Sequence, residues 1–223
     1  VLLVALDIRN RKKEQYVYPK PKGPAIQSIV NALLEHFEQA RGHNRSRLPV
    51  LAIHAIYKCL ITELERFESK ILLPLELHTT ADLRSKKIGD IQVNNADGTA
   101  FEGVEIKSDV SIEESHVSRL PDKFRGQPVE RYYVLTTAKD YIRKGHEESV
   151  HKELIDVRNK TGCQVIVNGI APSLKYYLRL LKNPEKFIEN YTELIKSDQS
   201  IQEDHRSIWV TVLSRLSKVS CSG

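Results

Sequence analysis

Methionine is absent from these 223 residues, and only three cysteines and one tryptophan occur. A chain that neither contains nor begins with Met reads as a fragment or as a sequence lacking its Met positions, and in the second case the spacings counted here are minima. Cys59, Cys163 and Cys221 are odd in number, far apart, and form no CxxC pair. That excludes a disulfide framework or a cysteine zinc site and fits a reducing cytoplasm. Long apolar runs are also missing. The longest, Val1–Leu6, is far short of the ~20 residues a bilayer helix needs, so no membrane partner is expected. It precedes the basic stretch Arg9–Lys13, whereas a signal peptide carries its charge first. No internal repeat, low-complexity segment or nucleotide-binding glycine loop is visible.

What is present is an ordinary globular composition, with 40% hydrophobic and 28% charged residues. That is enough apolar side chain to exclude intrinsic disorder. The net charge of +5 is unevenly placed. Residues 1–50 hold nine Lys/Arg against four Asp/Glu, and the remainder holds twenty-five of each. A basic surplus confined to one end raises the case for a polyanionic partner, most often nucleic acid, but on charge alone a solvated surface is the better reading.

Tyr18–Pro24 carries three prolines and reads as an extended joint that closes a basic, strand-like N-terminal segment over 1–24. Helical spacing follows over Ala25–Arg41, ended by Gly42, and again from Pro49 to about Ser69. In the second helix Ala52, Ala55, Ile56, Cys59, Leu60 and Phe67 form one stripe, with Glu65 and Arg66 off it and expected to be solvated. Glu63 falls on the stripe, and a buried carboxylate needs a cation or a metal. His54 reads as a core histidine. Strands are expected at Ile71–His78, Lys87–Val93 and Phe101–Lys107. The last two flank the turn-rich Asn94–Gly98 and so form an antiparallel hairpin. A short helix at Ser111–Arg119, stopped by Pro121, leads to a strand at Tyr132–Thr137. A helix over Ala138–Thr161 and a strand at Gln164–Asn168 complete a parallel crossover. Helices at Ser173–Lys182 (Ser173 as N-cap), Pro184–Lys196 (Asn183 as N-cap) and about Ile201–Lys218 close the chain. The fold class is α/β, a central mixed sheet flanked by helices with extra helices at the C-terminus, read as one domain over 1–223.

Side chains alternate across a strand. Glu105 and Lys107 therefore share one face, and Val104 and Ile106 point the other way into the core. Ile91 and Val93 share a face that Asp90 avoids. Pairing the two strands brings Asp90, Glu105 and Lys107 together. Two carboxylates beside a lysine suit metal-assisted phosphodiester hydrolysis. Mg²⁺ takes one or two carboxylates, with water and substrate phosphate completing the shell. A lysine can orient the attacking water or stabilise charge on the phosphorane.

Gly89-Asp90 followed by Glu105-Ile106-Lys107 resembles the Asp…(Asp/Glu)-x-Lys motif of the PD-(D/E)XK nuclease superfamily, which includes most type II restriction endonucleases. Residues 50–138 follow that family's core order, with 139–223 as elaboration. Gly89 departs from the motif's Pro. The resemblance implies that Asp90, Glu105 and the Ile106 carbonyl bind Mg²⁺ and that Lys107 serves the water. Glu63 stands where many members add a further metal-binding acid. It implies double-stranded DNA as substrate and a homodimer, one site per strand. It also implies a companion DNA methyltransferase that forms no stable complex with the enzyme. A repair, resolvase or mobile-element nuclease with the same core is one alternative, and a non-catalytic nucleic-acid-binding module is another. Arg45 and Arg47, in the loop before the Glu63 helix, and Lys175 and Arg179, sharing a helix face with Lys182, are candidate DNA contacts.

Overall fold

The computed structural model describes residues 16–76 and 87–220. Arg9–Lys13 and the far end of the Ile71–His78 segment lie outside them. In chain order the elements are α1 (Ile26–Gln39), α2 (Arg47–Glu63), a 3₁₀ turn (Glu65–Phe67), β1 (Ile71–Leu72), β2 (Ile91–Asn94) and β3 (Ala100–Lys107). Then come α3 (Glu114–Ser118), α4 (Leu120–Phe124), β4 (Arg131–Thr136), α5 (Glu147–Thr161) and β5 (Gln164–Gly169). Three helices follow: α6 (Ile170–Leu180), α7 (Pro184–Ser197) and α8 (Glu203–Ser220).

The five strands form one mixed sheet in the order β1-β2-β3-β4-β5. β1, β2 and β3 pair antiparallel, and β3, β4 and β5 pair parallel. The fold is therefore α/β, as the alternation of patterns implied. Period-two alternation divides the core. Ile91, Val93, Val104, Ile106, Tyr133 and Leu135 face α1, α2 and α6–α8. Tyr132, Val134, Val165 and Val167 face α3, α4 and α5. These are the α2 face and the α4 face below. No described helix is long and apolar enough to cross a membrane.

Several boundaries differ from the sequence reading, each for a local reason. Every residue of α2 from Arg47 to Tyr57 is buried, because the helix lies between the sheet and α7. A helix apolar on all sides is a central one rather than a one-stripe surface helix. The expected helix start at Ala138 is a loop up to His146. There Ile142 makes an isolated parallel bridge to Ile112 instead. The short helix ends at Ser118, ahead of Pro121 as expected, but Pro121 itself opens a further helix, in the first turn of α4, where a missing N–H costs nothing. Ser173 is inside α6 rather than capping it, and its hydroxyl donates to the Gly169 carbonyl at 2.8 Å. Asn183 does cap α7, accepting the Glu185 amide at 3.0 Å.

Candidate active site

The β2–β3 hairpin positions the motif. Its turn is closed by Asn95 N–H donating to the Thr99 carbonyl (2.8 Å) and by Asp97 accepting from Thr99 N–H (2.9 Å). Gly98 supplies φ +87°, which residues with a Cβ rarely adopt. This fixes the register Ile91↔Val104, and a one-residue slip would send every side chain to the wrong face. Residues 88–90 form a bend before β2 rather than strand. The Gln92 carboxamide oxygen holds it by accepting the Ile88 amide at 2.9 Å.

Asp90 sits at the end of that bend. Its Oδ2 accepts the Ile106 N–H at 2.7 Å. Phe101 and Lys107 turn their carbonyls to the β4 side, accepting from Glu130 and Thr137. By alternation the Ile106 peptide groups point to the β2 side, so its carbonyl opens toward Asp90. Glu105 lies beside it on the α4 face. Its Oε1 accepts from Lys107 Nζ at 2.8 Å and its Oε2 from Lys123 Nζ at 2.5 Å. Tyr132, whose hydroxyl donates to the Ile88 carbonyl at 2.6 Å, comes within 3.4 Å of the same Oε2.

The two carboxyls differ in electrostatics. Asp90 is exposed as a residue, yet its carboxyl group is crowded by protein. That desolvation, then the Glu105 charge, pushes its pKa up to about 6, against the Ile106 N–H and the two lysines. Glu105 is also desolvated, but Lys123 and Lys107 together hold its pKa below the usual range. Adjacent acids with displaced pKa values occur both at active sites and in structural ion-pair networks.

Glu63 is not part of this group. It is half-exposed, and its Oε2 accepts the Lys182 backbone N–H at 2.6 Å. Two geometric facts keep it away. α2 covers the opposite face of the sheet from Glu105 and Lys107. It also runs antiparallel to β3: Arg45, just before α2, pairs with Asp109 beyond the end of β3, and Tyr57 reaches Glu102 near its start. Glu63 therefore lies at the far end of the sheet. Among the described residues no three His, Cys, Asp or Glu side chains converge on one point.

Arg47 is not a surface contact either. It is buried, and its Nε donates to Asp198 at 2.9 Å while another guanidinium N–H donates to the Glu76 carbonyl. Arg45 remains half-exposed at the Lys107 end of the sheet. Lys175 and Arg179 are exposed on α6, on the α2 face, away from the motif, with Lys175 donating to Gln27 at 2.8 Å. His54 is buried as expected, and burial lowers its pKa to about 4. The buried Cys163 thiol is pushed up to about 12 and stays neutral.

Two features had little sequence signal. Lys123 reaches Glu105 from α4, in a segment expected to lie beyond a helix stop. The buried acid is Glu102, not Glu63. Its carboxylate accepts from the Tyr57 hydroxyl and from Arg66 at 2.5 Å. Arg66 in turn stacks over Phe67 and Phe101.

Compared with known proteins, the chain matches no protein-family model and no curated protein sequence.

The donor set suits Mg²⁺ on its own chemistry. Asp90 Oδ1 has no hydrogen-bond partner among the described residues, Glu105 stands next to it, and strand alternation puts the Ile106 carbonyl on the same strand edge as the amide that Asp90 accepts. Two carboxylates with one carbonyl leave room for water and phosphate.

Proposed function

We propose that this protein is a Mg²⁺-dependent deoxyribonuclease, a sequence-specific endonuclease of the type II restriction kind acting on double-stranded DNA. The observation that carries the reading is the convergence of Asp90, Glu105 and Lys107 at one end of β3, with Asp90 held by the Ile106 amide. In this reading Asp90, Glu105 and the Ile106 carbonyl hold the metal. Bound Mg²⁺ supplies Lewis acidity and lowers the pKa of a water. Lys107 orients that water and shares the charge that builds on the phosphate. A palindromic duplex site calls for a homodimer, and a restriction role calls for a companion methyltransferase.

A second reading has one observation in its favour. Both Glu105 oxygens are engaged by lysines, as in a structural ion cluster on a nucleic-acid-binding module. Divalent-metal dependence separates the two. Unmethylated phage DNA incubated with the full chain and Mg²⁺ should give discrete fragments with 5′-phosphates, and EDTA should stop the reaction. Branch-specific cutting or a smear instead points to a repair, resolvase or mobile-element nuclease. Lys107→Ala should abolish cleavage and change DNA affinity by less than about threefold, because binding is spread over many phosphates. A wild-type protein that binds DNA and leaves it intact in Mg²⁺ overturns the nuclease reading.

A further inference from the structure

Lys123 is the cation the motif does not account for. It belongs to α4, not to the hairpin, and its ammonium sits on Glu105 Oε2 at 2.5 Å, the oxygen that Tyr132 Oη approaches to 3.4 Å. Its neighbour Phe124 is buried and packs on Tyr132 with ring centroids 5.2 Å apart, which anchors the α4 end over the site. The chain then turns away through Arg125 and Gly126, both at positive φ. Lys107, by contrast, is fixed on β3 two residues from Glu105. The Lys123 side chain is 42% exposed against 30% for Lys107.

Charge makes the two lysines unequal partners for a metal. With Asp90 and Glu105 ionised, Lys107 and Lys123 bring the group to neutrality. A divalent cation between the two acids needs one Glu105 oxygen, and the oxygen held from outside the hairpin is Oε2. We propose that Lys123 is a displaceable counter-cation, which occupies Glu105 in the free protein and passes to a phosphate of the bound DNA when the metal takes its place. This rests on the nuclease reading and extends it. Metal and DNA then bind with mutual support: the cation frees an ammonium for the phosphate, and the phosphate keeps that ammonium off Glu105.

The consequence is a pair of effects with opposite sign, which a merely structural lysine does not produce. Ca²⁺ serves as the probe, since its flexible 6–8-fold shell supports binding without committing to cleavage. Calorimetric titration of the full chain without DNA should show Lys123→Met binding Ca²⁺ roughly two- to fivefold more tightly than wild type, the range a half-exposed ion pair supports. Titration of duplex DNA in Ca²⁺ should show the same variant binding roughly two- to fivefold more weakly. The slope of log affinity against log salt should fall by about one. Lys123→Arg should restore both, and Lys123→Gln should repeat the Met result if Met perturbs α4. Unchanged or weaker Ca²⁺ binding in folded Lys123→Met and Lys123→Gln overturns the proposal, as does an unchanged DNA affinity. Wild-type protein that binds neither Ca²⁺ nor Mg²⁺ overturns the nuclease reading itself, and the proposal with it.

Discussion

A carboxyl group stripped of water and set beside a second carboxylate holds its proton to higher pH, and desolvation, then the Glu105 charge, carry Asp90 up to about 6. The folded chain therefore binds that proton more tightly than the unfolded chain between the ordinary value of 3.8 and about 6. Stability must fall as pH rises through this window, and the loss is fully present above it. Asp90→Asn removes the titration and keeps an acceptor for the Ile106 amide. The variant should melt higher than wild type at pH 8 and equally at pH 4. The gain is held to ~1 kcal/mol by solvent on the open side. A lower melting temperature at pH 8 would show that the carboxylate stabilises the empty site. Glu63 stands outside this group. It is half-exposed and accepts a backbone amide, so nothing ties it to the chemistry.

The hairpin shows why a short element can specify a site. Gly89 stands where the resembled motif has proline, and the packing explains the glycine. A Cβ there would meet the Val104 carbonyl oxygen at 2.6 Å and the Tyr132 hydroxyl at 2.9 Å. The first contact is backbone and cannot swing aside. Gly89→Ala should cost ~1–3 kcal/mol by overpacking and lower cleavage further by shifting Asp90. Urea midpoints and cleavage rates on the same preparation test this. Unchanged values in both would mean that the bend relaxes freely. The hairpin itself was legible because alternation and turn residues act within a few positions. So was the parallel unit β4–α5–β5, marked by a long polar helix between two apolar strands. Glu63 and Arg66 were misread for one shared reason. Spacing gives the direction of a side chain around its own axis, but not where the helix leaves the core. Past Leu60 α2 emerges, so its stripe no longer reports burial, and Arg66 turns back to meet Glu102 across a break in the helix. Lys123 was beyond sequence reach because its partner lies in another element.

At the scale of the whole molecule, burial on the α2 face sets the response to acid. His36 is fully buried against Trp209 and Tyr191, with its Nε2 bonded to the His205 carbonyl at 2.9 Å. Burial lowers its pKa, like that of His54, to about 4. Unfolded imidazoles titrate near 6.5, so between there and about 4 the unfolded chain binds more protons. The stability from these two groups is complete above 6.5 and is lost as pH falls toward 4, by as much as ~3 kcal/mol each. Chemical unfolding at pH 7.5 and 5 should show this fall, and His54→Leu should flatten it. Equal stabilities at the two pH values would count against both buried imidazoles. α2 and β3 run antiparallel, with Glu102 and Arg66 near the start of β3 and the motif at its end. Arg66→Met strands a buried carboxylate at the first end and should cost ~3 kcal/mol. Cleavage per folded molecule should hold, and parallel melting and rate measurements would reveal any coupling. In the proposed nuclease reading one strand has a keel and a blade: its first half keeps the molecule upright, and its last half carries the cutting group. A screen for thermal survival alone would pass variants of Lys107 and reject those of Arg66, grading this protein on the half of β3 that does no chemistry.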